Sequence, residues 1–164
     1  MCNFSLRPLE EKDAAPMVEW LTNEDVTKYL SIGGDGANIE STLAFIHMSR
    51  DESINLHRAI VDANDKYLGT VSLKNIDNAK KEAEYAIAMH HEAIGTGAAA
   101  CGSKLIIALA FEQLNLQRVY LNVLRVNQRA VRFYDKLGFV YTHSTTTVYD
   151  GAEVEMVWYE IVKK

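Results

Sequence analysis

The chain has 164 residues, 48% hydrophobic and 24% charged. This fits one soluble globular domain of about 150 residues and excludes a disordered, collagen-like or coiled-coil chain. Seventeen Lys and Arg against 22 Asp and Glu leave a net charge of −5, the wrong sign for a default binder of nucleic acid or of an anionic membrane. Two cysteines, Cys2 and Cys101, are too few for a disulfide framework and form no CxxC or Cys/His cluster, so a reduced, cytoplasmic domain without a metal is expected. Met1–Asp13 has no apolar core and is not expected to be a signal peptide. The longest apolar run, Leu105–Phe111, is too short to span a bilayer.

Asn3–Arg7 alternates and predicts a first strand. Asp13 caps a predicted short helix through Leu21, with Pro16 in its first turn. Asn23 starts a second short helix through Leu30, closed by the Gly-rich loop Ile32–Ala37. Asn38 then precedes Ile39, Leu43 and Ile46, spaced for one helical face. From there the period changes to two. His57–Asp62 and Tyr67–Ile76 predict strands joined by the turn Ala63–Lys66. Glu82–Met89 alternates, with Ala83, Tyr85, Ile87 and Met89 on one side. Gly97–Leu114 returns to helical spacing through Leu105, Ile106, Leu109, Ala110 and Leu114, and Arg118–Val123 is a β-rich strand. Asn127 predicts the N-cap of a helix carrying Ala130, Val131, Phe133, Tyr134 and Leu137, with Gly138 where a left-handed residue ends a helix. Phe139–Tyr149 and Val154–Ile161 close the chain as two strands around Asp150-Gly151. This order implies a single domain over residues 1–164, of α/β or α+β class, with mostly antiparallel strands and one βα–βα core.

The segment His90–Ala100 lies between a predicted strand and a predicted helix. Small residues at a helix N-terminus leave backbone N–H groups bare beside the positive end of the helix dipole, which suits a phosphate or pyrophosphate. Two nucleotide templates fail here. Ala100 stands where the dinucleotide fingerprint needs its third glycine, and Gly97–Lys104 reverses the Lys–Ser order of the P-loop.

A third template carries a resemblance. Ile94-Gly95-Thr96-Gly97-Ala98-Ala99 resembles the acetyl-CoA loop of the GNAT N-acetyltransferase superfamily, Gln/Arg-x-x-Gly-x-Gly/Ala, with Ile94 in place of the leading Arg or Gln. Asn127–Phe139 resembles that family's Asn-x-x-Ala-x-x-x-Tyr-x-x-x-Gly-Phe segment at each named position. Leu114–Val123 resembles its preceding helix end and strand. Phe4–Leu9 is similar to the first strand of the branch acting on ribosomal-protein N-termini, polyamines and amino sugars. The resemblance implies a splayed, mostly antiparallel mixed sheet flanked by helices. It also implies direct acetyl transfer from acetyl-CoA to a primary amine of a small molecule or peptide, and it is compatible with a homodimer. A non-catalytic acyl-CoA-binding or regulatory module on the same fold is the alternative.

The same resemblance implies the site. Backbone groups of Ile87, Ala88 and Met89 face the pantetheine and thioester, with a backbone N–H near Met89 as oxyanion donor; on pattern alone Ile87 and Met89 are a plain core strand. Ile94, Gly95, Thr96, Gly97, Ala98, Ala99 and Ala100 form the pyrophosphate loop. Tyr134 is the candidate general acid, because a phenol of pKa ~10 can protonate a departing thiolate; on spacing alone it is a core aromatic. Asn122, Asn127, Ala130, Phe133 and Lys136 are further CoA contacts. Read without the resemblance, Asn127 is an N-cap, Phe133 core and Lys136 a solvated charge. Glu84 is the candidate base, with His90 as its rival on an unperturbed pKa of ~6.5; by pattern alone Glu84 is an exposed strand carboxylate. The tandem His90-His91 also offers charge in place of the missing Arg. Cys101 is expected to be a small buried residue. Glu40, Asp51, Glu52 and the net charge suit a cationic amine, and the first helices with the loop Ser31–Ala37 are expected to shape the acceptor cleft.

Overall fold

The computed structural model describes residues 2–22 and 38–164. The predicted helix Asn23–Leu30 and the loop Ile32–Ala37 lie outside the described residues. Strand β1 (Ser5–Arg7) leads through a 3-10 turn, Glu11–Asp13, into α1 (Ala14–Leu21). Helix α2 (Ile39–Met48) is followed by β2 (Leu56–Val61), β3 (Tyr67–Asp77) and β4 (Glu82–Met89). Helix α3 (Ala98–Ala108), β5 (Arg118–Leu124), α4 (Gln128–Leu137), β6 (Val140–Tyr149) and β7 (Ala152–Val162) complete the order.

The strands form one seven-stranded sheet, β1-β2-β3-β4-β5-β7-β6. Among these neighbours β4 and β5 alone run parallel. Parallel strands cannot be joined by a tight turn, and α3 supplies the crossover between them. The mixed, mostly antiparallel sheet flanked by helices is the expected architecture.

Strand alternation divides the core into two clusters. On β2, Ile60 joins a large cluster with Val71, Leu73, Tyr85, Ile106 and Leu121. Its neighbours Ala59 and Val61 join Met17, Trp20 and Ile46 under α1 and α2. Each fully buried Leu, Ile or Val contributes about 1.5–3 kcal/mol. Helix α3 approaches the sheet closely at Gly102, where an added Cβ would stand 2.4 Å from Ile60 Cδ1. One residue on, the Ser103 hydroxyl shares a 2.6 Å hydrogen bond with the buried Tyr85 hydroxyl, tying α3 to β4.

Four expectations are corrected. Asp13 does not cap α1 with its side chain. It is 1% exposed, and its carboxylate takes the Arg7 guanidinium at 2.8 and 2.9 Å and the Glu10 N–H at 2.8 Å, because a buried charge demands a charged partner before a local cap. Asn38 does cap α2, accepting from Ser41 N–H at 2.8 Å, but the buried face carries Thr42 and Ile46 while Ile39 is exposed. The helix expected over Gly97–Leu114 is α-helical only to Ala108 and widens to a π-turn over Leu109–Gln113, where the Leu114 N–H donates to Leu109 O and Lys163 Nζ to Phe111 O. Finally, Cys101 is not a lone buried residue. Its sulfur meets that of Cys2, with Cα atoms 5.8 Å apart, a disulfide spacing. No helix among the described residues is long and apolar enough to cross a membrane.

Replacing Gly102 by Ala forces α3 away from Ile60. The expected loss is about 1–3 kcal/mol, read as a lower urea midpoint at an unchanged slope.

Candidate active site

Strands β4 and β5 pair only from Glu82↔Arg118 to Glu84↔Tyr120. Beyond that point each keeps its outer neighbour: β4 stays with β3 as far as Met89↔Gly69, and β5 stays with β7 as far as Leu124↔Met156. The sheet therefore parts into two halves past Glu84 and Tyr120. A cavity of about 250 Å³ opens there, with Glu84, Tyr85, Ile87, Asn122, Asn127 and Tyr134 in its wall. The His90 N–H donates to Leu68 O at 2.8 Å. On the two-residue period of a strand, Ala88 also turns its backbone groups to β3, while Ile87 and Met89 turn theirs into the gap. Ala88, expected beside them, is tied into the β3 ladder and packs toward α1 and α2.

Helix α4 starts and stops as its sequence predicts. Asn127 Oδ1 accepts from Ala130 N–H at 3.4 Å, and Gly138 ends the helix at φ 98°. The inner face presents Tyr134 to Tyr85 at 5.8 Å between ring centroids, nearly perpendicular, and to Phe139 at 6.0 Å. Phe133 packs edge-on against Tyr134 at 5.5 Å. Burial pushes the Tyr134 phenol up to about 12, and its hydroxyl has no hydrogen-bond partner among the described residues. A phenol held neutral at the wall of a cavity can protonate a strong base that forms inside.

Glu84 stands on the opposite face of β4 from Tyr85, on the same side as Ala86 and Ala88. Its side chain is 20% exposed, and its carboxylate lies 3.5 Å from Lys74 Nζ, the residue directly across the β3–β4 register. A closed sheet would separate Glu84 from Tyr134. Because the ladder stops at Glu84, both line one cavity.

His90 is not available as a base. It is 4% exposed, its Nε2 lies 2.5 Å from Glu19 Oε2, and its Nδ1 accepts the Glu92 N–H at 3.2 Å. An accepting Nδ1 places the proton on Nε2, facing the carboxylate. Of the two histidines, His91, stacked on His90 at 4.2 Å, is the exposed one.

The loop after β4 turns left-handed twice, at Gly95 (φ 85°) and Gly97 (φ 88°). Thr96 Oγ1 donates to Ala93 O at 2.5 Å and accepts from Ala98 N–H at 3.3 Å. Gly97 is the N-cap of α3 and offers no side chain to it, so the N–H groups of Ala99 and Ala100 have no acceptor within the helix. Nothing stands within 4 Å of a Cβ built on Gly95 or Gly97. Bare N–H groups, the dipole end and open space above them fit a pyrophosphate. Ile94 is 44% exposed at the loop's edge. Lys136 is an exposed cation without an ion pair among the described residues.

The acidic residues Glu40, Asp51 and Glu52, whose charge suits a cationic amine, do not line the cavity. Glu52 pairs with Arg58 at 3.1 Å, and Asp51 accepts from Ser53. Sequence reasoning missed Lys74, Tyr149 and Met156 in the cavity wall, and gave Tyr85 no role there. The hairpin register between β3 and β4 signals Lys74. Tyr149 and Met156 arrive on the β6–β7 hairpin, which no local pattern connects to β4. No group of three or more His, Cys, Asp or Glu among the described residues is placed to hold a metal ion.

A family model described as an acetyltransferase (GNAT) domain matches residues 3–140. A spermidine N(1)-acetyltransferase of Escherichia coli K12 is 31% identical over 137 residues, 84% of this chain and 73% of that protein. A putative ribosomal N-acetyltransferase of Bacillus subtilis is 25% identical over 171 residues, 99% of this chain and 92% of that protein. Among solved structures, a spermidine N-acetyltransferase from Vibrio cholerae in complex with CoA and spermine superposes with a TM-score of 0.87. Its identity is 22%, over 98% of this chain and 95% of that one.

Replacing Gly97 by Ala puts an L side chain into the left-handed region at the helix cap. The expected cost is about 1–2 kcal/mol, seen as a lower melting midpoint. A weaker calorimetric affinity for CoA is expected with it.

Proposed function

The chain belongs to the GNAT acetyltransferase family, and on that premise we propose that it acetylates a primary amine of a polyamine, with Tyr134 as general acid and Glu84 as general base. The observation that carries this reading is the end of the β4–β5 ladder at Glu84. It lets a carboxylate from one face of the sheet and a neutral phenol from the other meet in one cavity.

Bound acetyl-CoA supplies an acetyl thioester and a thiol leaving group. The bare N–H groups of Ala99 and Ala100 hold its pyrophosphate above the open loop at Gly95 and Gly97, and Asn127 and Lys136 stand where α4 borders the same ligand. The Met89 N–H, turned into the gap, stabilises negative charge that develops on the carbonyl oxygen. Glu84 takes the proton that an attacking ammonium of pKa ~10.4 must lose, while Lys74 steadies its position. Tyr134 carries the proton that the departing sulfur takes.

One observation supports a polyamine over a peptide N-terminus. The E. coli relative at 31% identity is named a spermidine acetyltransferase.

Replacing Tyr134 by Phe is expected to leave CoA affinity unchanged and to lower kcat by ~10²–10⁴; unchanged turnover overturns the assignment. In the wild type an acid must keep its proton, so rate is lost only as pH rises through the phenol's value of about 12. The kcat profile is therefore expected to show no descending limb from Tyr134 between pH 8 and pH 10. In an amine panel read by free-thiol release, spermidine and spermine are expected to exceed glucosamine and an alanyl peptide. Release with the peptide alone overturns the polyamine reading and leaves the acetyltransferase intact.

A further inference from the structure

Cys2 and Cys101 take part in no step of the reaction, yet the fold brings them together from positions 99 residues apart. Cys101 lies in the first turn of α3, where its N–H closes on Gly97 O at 3.1 Å. Its side chain turns the other way, toward β1. Cys101 Sγ stands 3.8 Å from Phe4 O, and Cys2 Sγ stands 3.5 Å from the same oxygen. The two sulfurs are in contact and the Cα atoms are 5.8 Å apart, within the commonest spacing of a disulfide.

We propose that Cys2 and Cys101 are a reversible thiol–disulfide modification site that fastens β1 to the helix behind the small-residue loop, with a low-molecular-weight disulfide as oxidant. Exposure sets the order of events. Cys2 is exposed, whereas Cys101 is 9% exposed. The Cys2 thiolate attacks one sulfur of the reagent, breaks its S–S bond and releases one reagent thiol, leaving a mixed disulfide on Cys2. The Cys101 thiolate then attacks Cys2 Sγ and expels the second reagent thiol. Two protein thiols give up two electrons and two protons, and the reagent leaves as two thiols.

The location gives the bond its effect. Strand β1 has three residues and sits at the edge of the sheet. Its pairing with β2 covers only Ser5↔Val61 to Arg7↔Ala59. A cross-link spanning 99 residues restricts the unfolded chain far more than a short one does. An exposed sulfur keeps the bond within reach of external thiols, which can reopen it. Neither cysteine lines the cavity, so the bond governs stability and leaves the chemistry alone.

The test compares the wild-type protein after oxidised glutathione with the same protein after excess dithiothreitol, so it depends on no variant folding. Oxidation is expected to remove ~2 Da and both titratable thiols, to give no dimer on a non-reducing gel, and to raise the melting midpoint by about 10 °C. Dithiothreitol reverses all of it, and acetyl-CoA turnover at 25 °C is the same in both forms. C2S and C101S each abolish the shift. Two thiols remaining after oxidation, arrest at a glutathione adduct on Cys2, a cross-linked dimer, or equal midpoints would each overturn the proposal.

Discussion

The parallel pairing of β4 with β5, and its end after Glu84 and Tyr120, is the constraint on which the site depends. Backbone N–H and C=O groups inside a protein need partners. Where two strands part, one edge of each is left bare. Neither strand is destabilised outright, because each keeps a full antiparallel neighbour: β3 for β4 and β7 for β5. The outcome is a slot crossing the sheet, with the backbone of Ile87 and Met89 on one wall. Glu84 from one face of β4, and Tyr134 packed against Tyr85 on the other, therefore line the same slot.

The crossover helix follows from the same pairing. A parallel pair requires a long connection, and α3 supplies it from the carboxyl end of β4. Its N-terminus therefore opens beside the slot, where ligands of such strand–helix units bind. Close packing holds it there. Gly102 lets α3 settle on Ile60, and the Tyr85–Ser103 hydrogen bond joins the helix to β4 one residue after Glu84. The His90–Glu19 pair links the beginning of the loop to α1, so the loop is held from the sheet and from the opposite helical layer.

Much of this was legible because it is local. Asn127 and Gly138 bound α4 through backbone chemistry that spans four residues, and Asn38 caps α2 with its own side chain for the same reason. Alternation over Glu82–Met89 assigned each face of β4 without reference to any other strand. Asp13 shows where local reasoning fails. A cap hydrogen bond was available in sequence, but Arg7 on β1 is a stronger partner for a buried carboxylate. His90 fails in the same way, since Glu19 lies 71 residues away. The three acidic residues Glu40, Asp51 and Glu52 suggested a cation site by charge alone, and charge says nothing of position.

What the sequence determined by itself is the set of elements, the small-residue loop at the start of α3 and the phenol on the inner face of α4. Each depends on spacing and backbone preference within a dozen residues. Only the tertiary structure decided that the β4–β5 ladder stops at Glu84, that Lys74, Tyr149 and Met156 join the wall, that His90 is spent on Glu19, and that Cys2 meets Cys101. These are contacts between residues far apart along the chain, and they are set by which strands share hydrogen bonds and where that sharing ends.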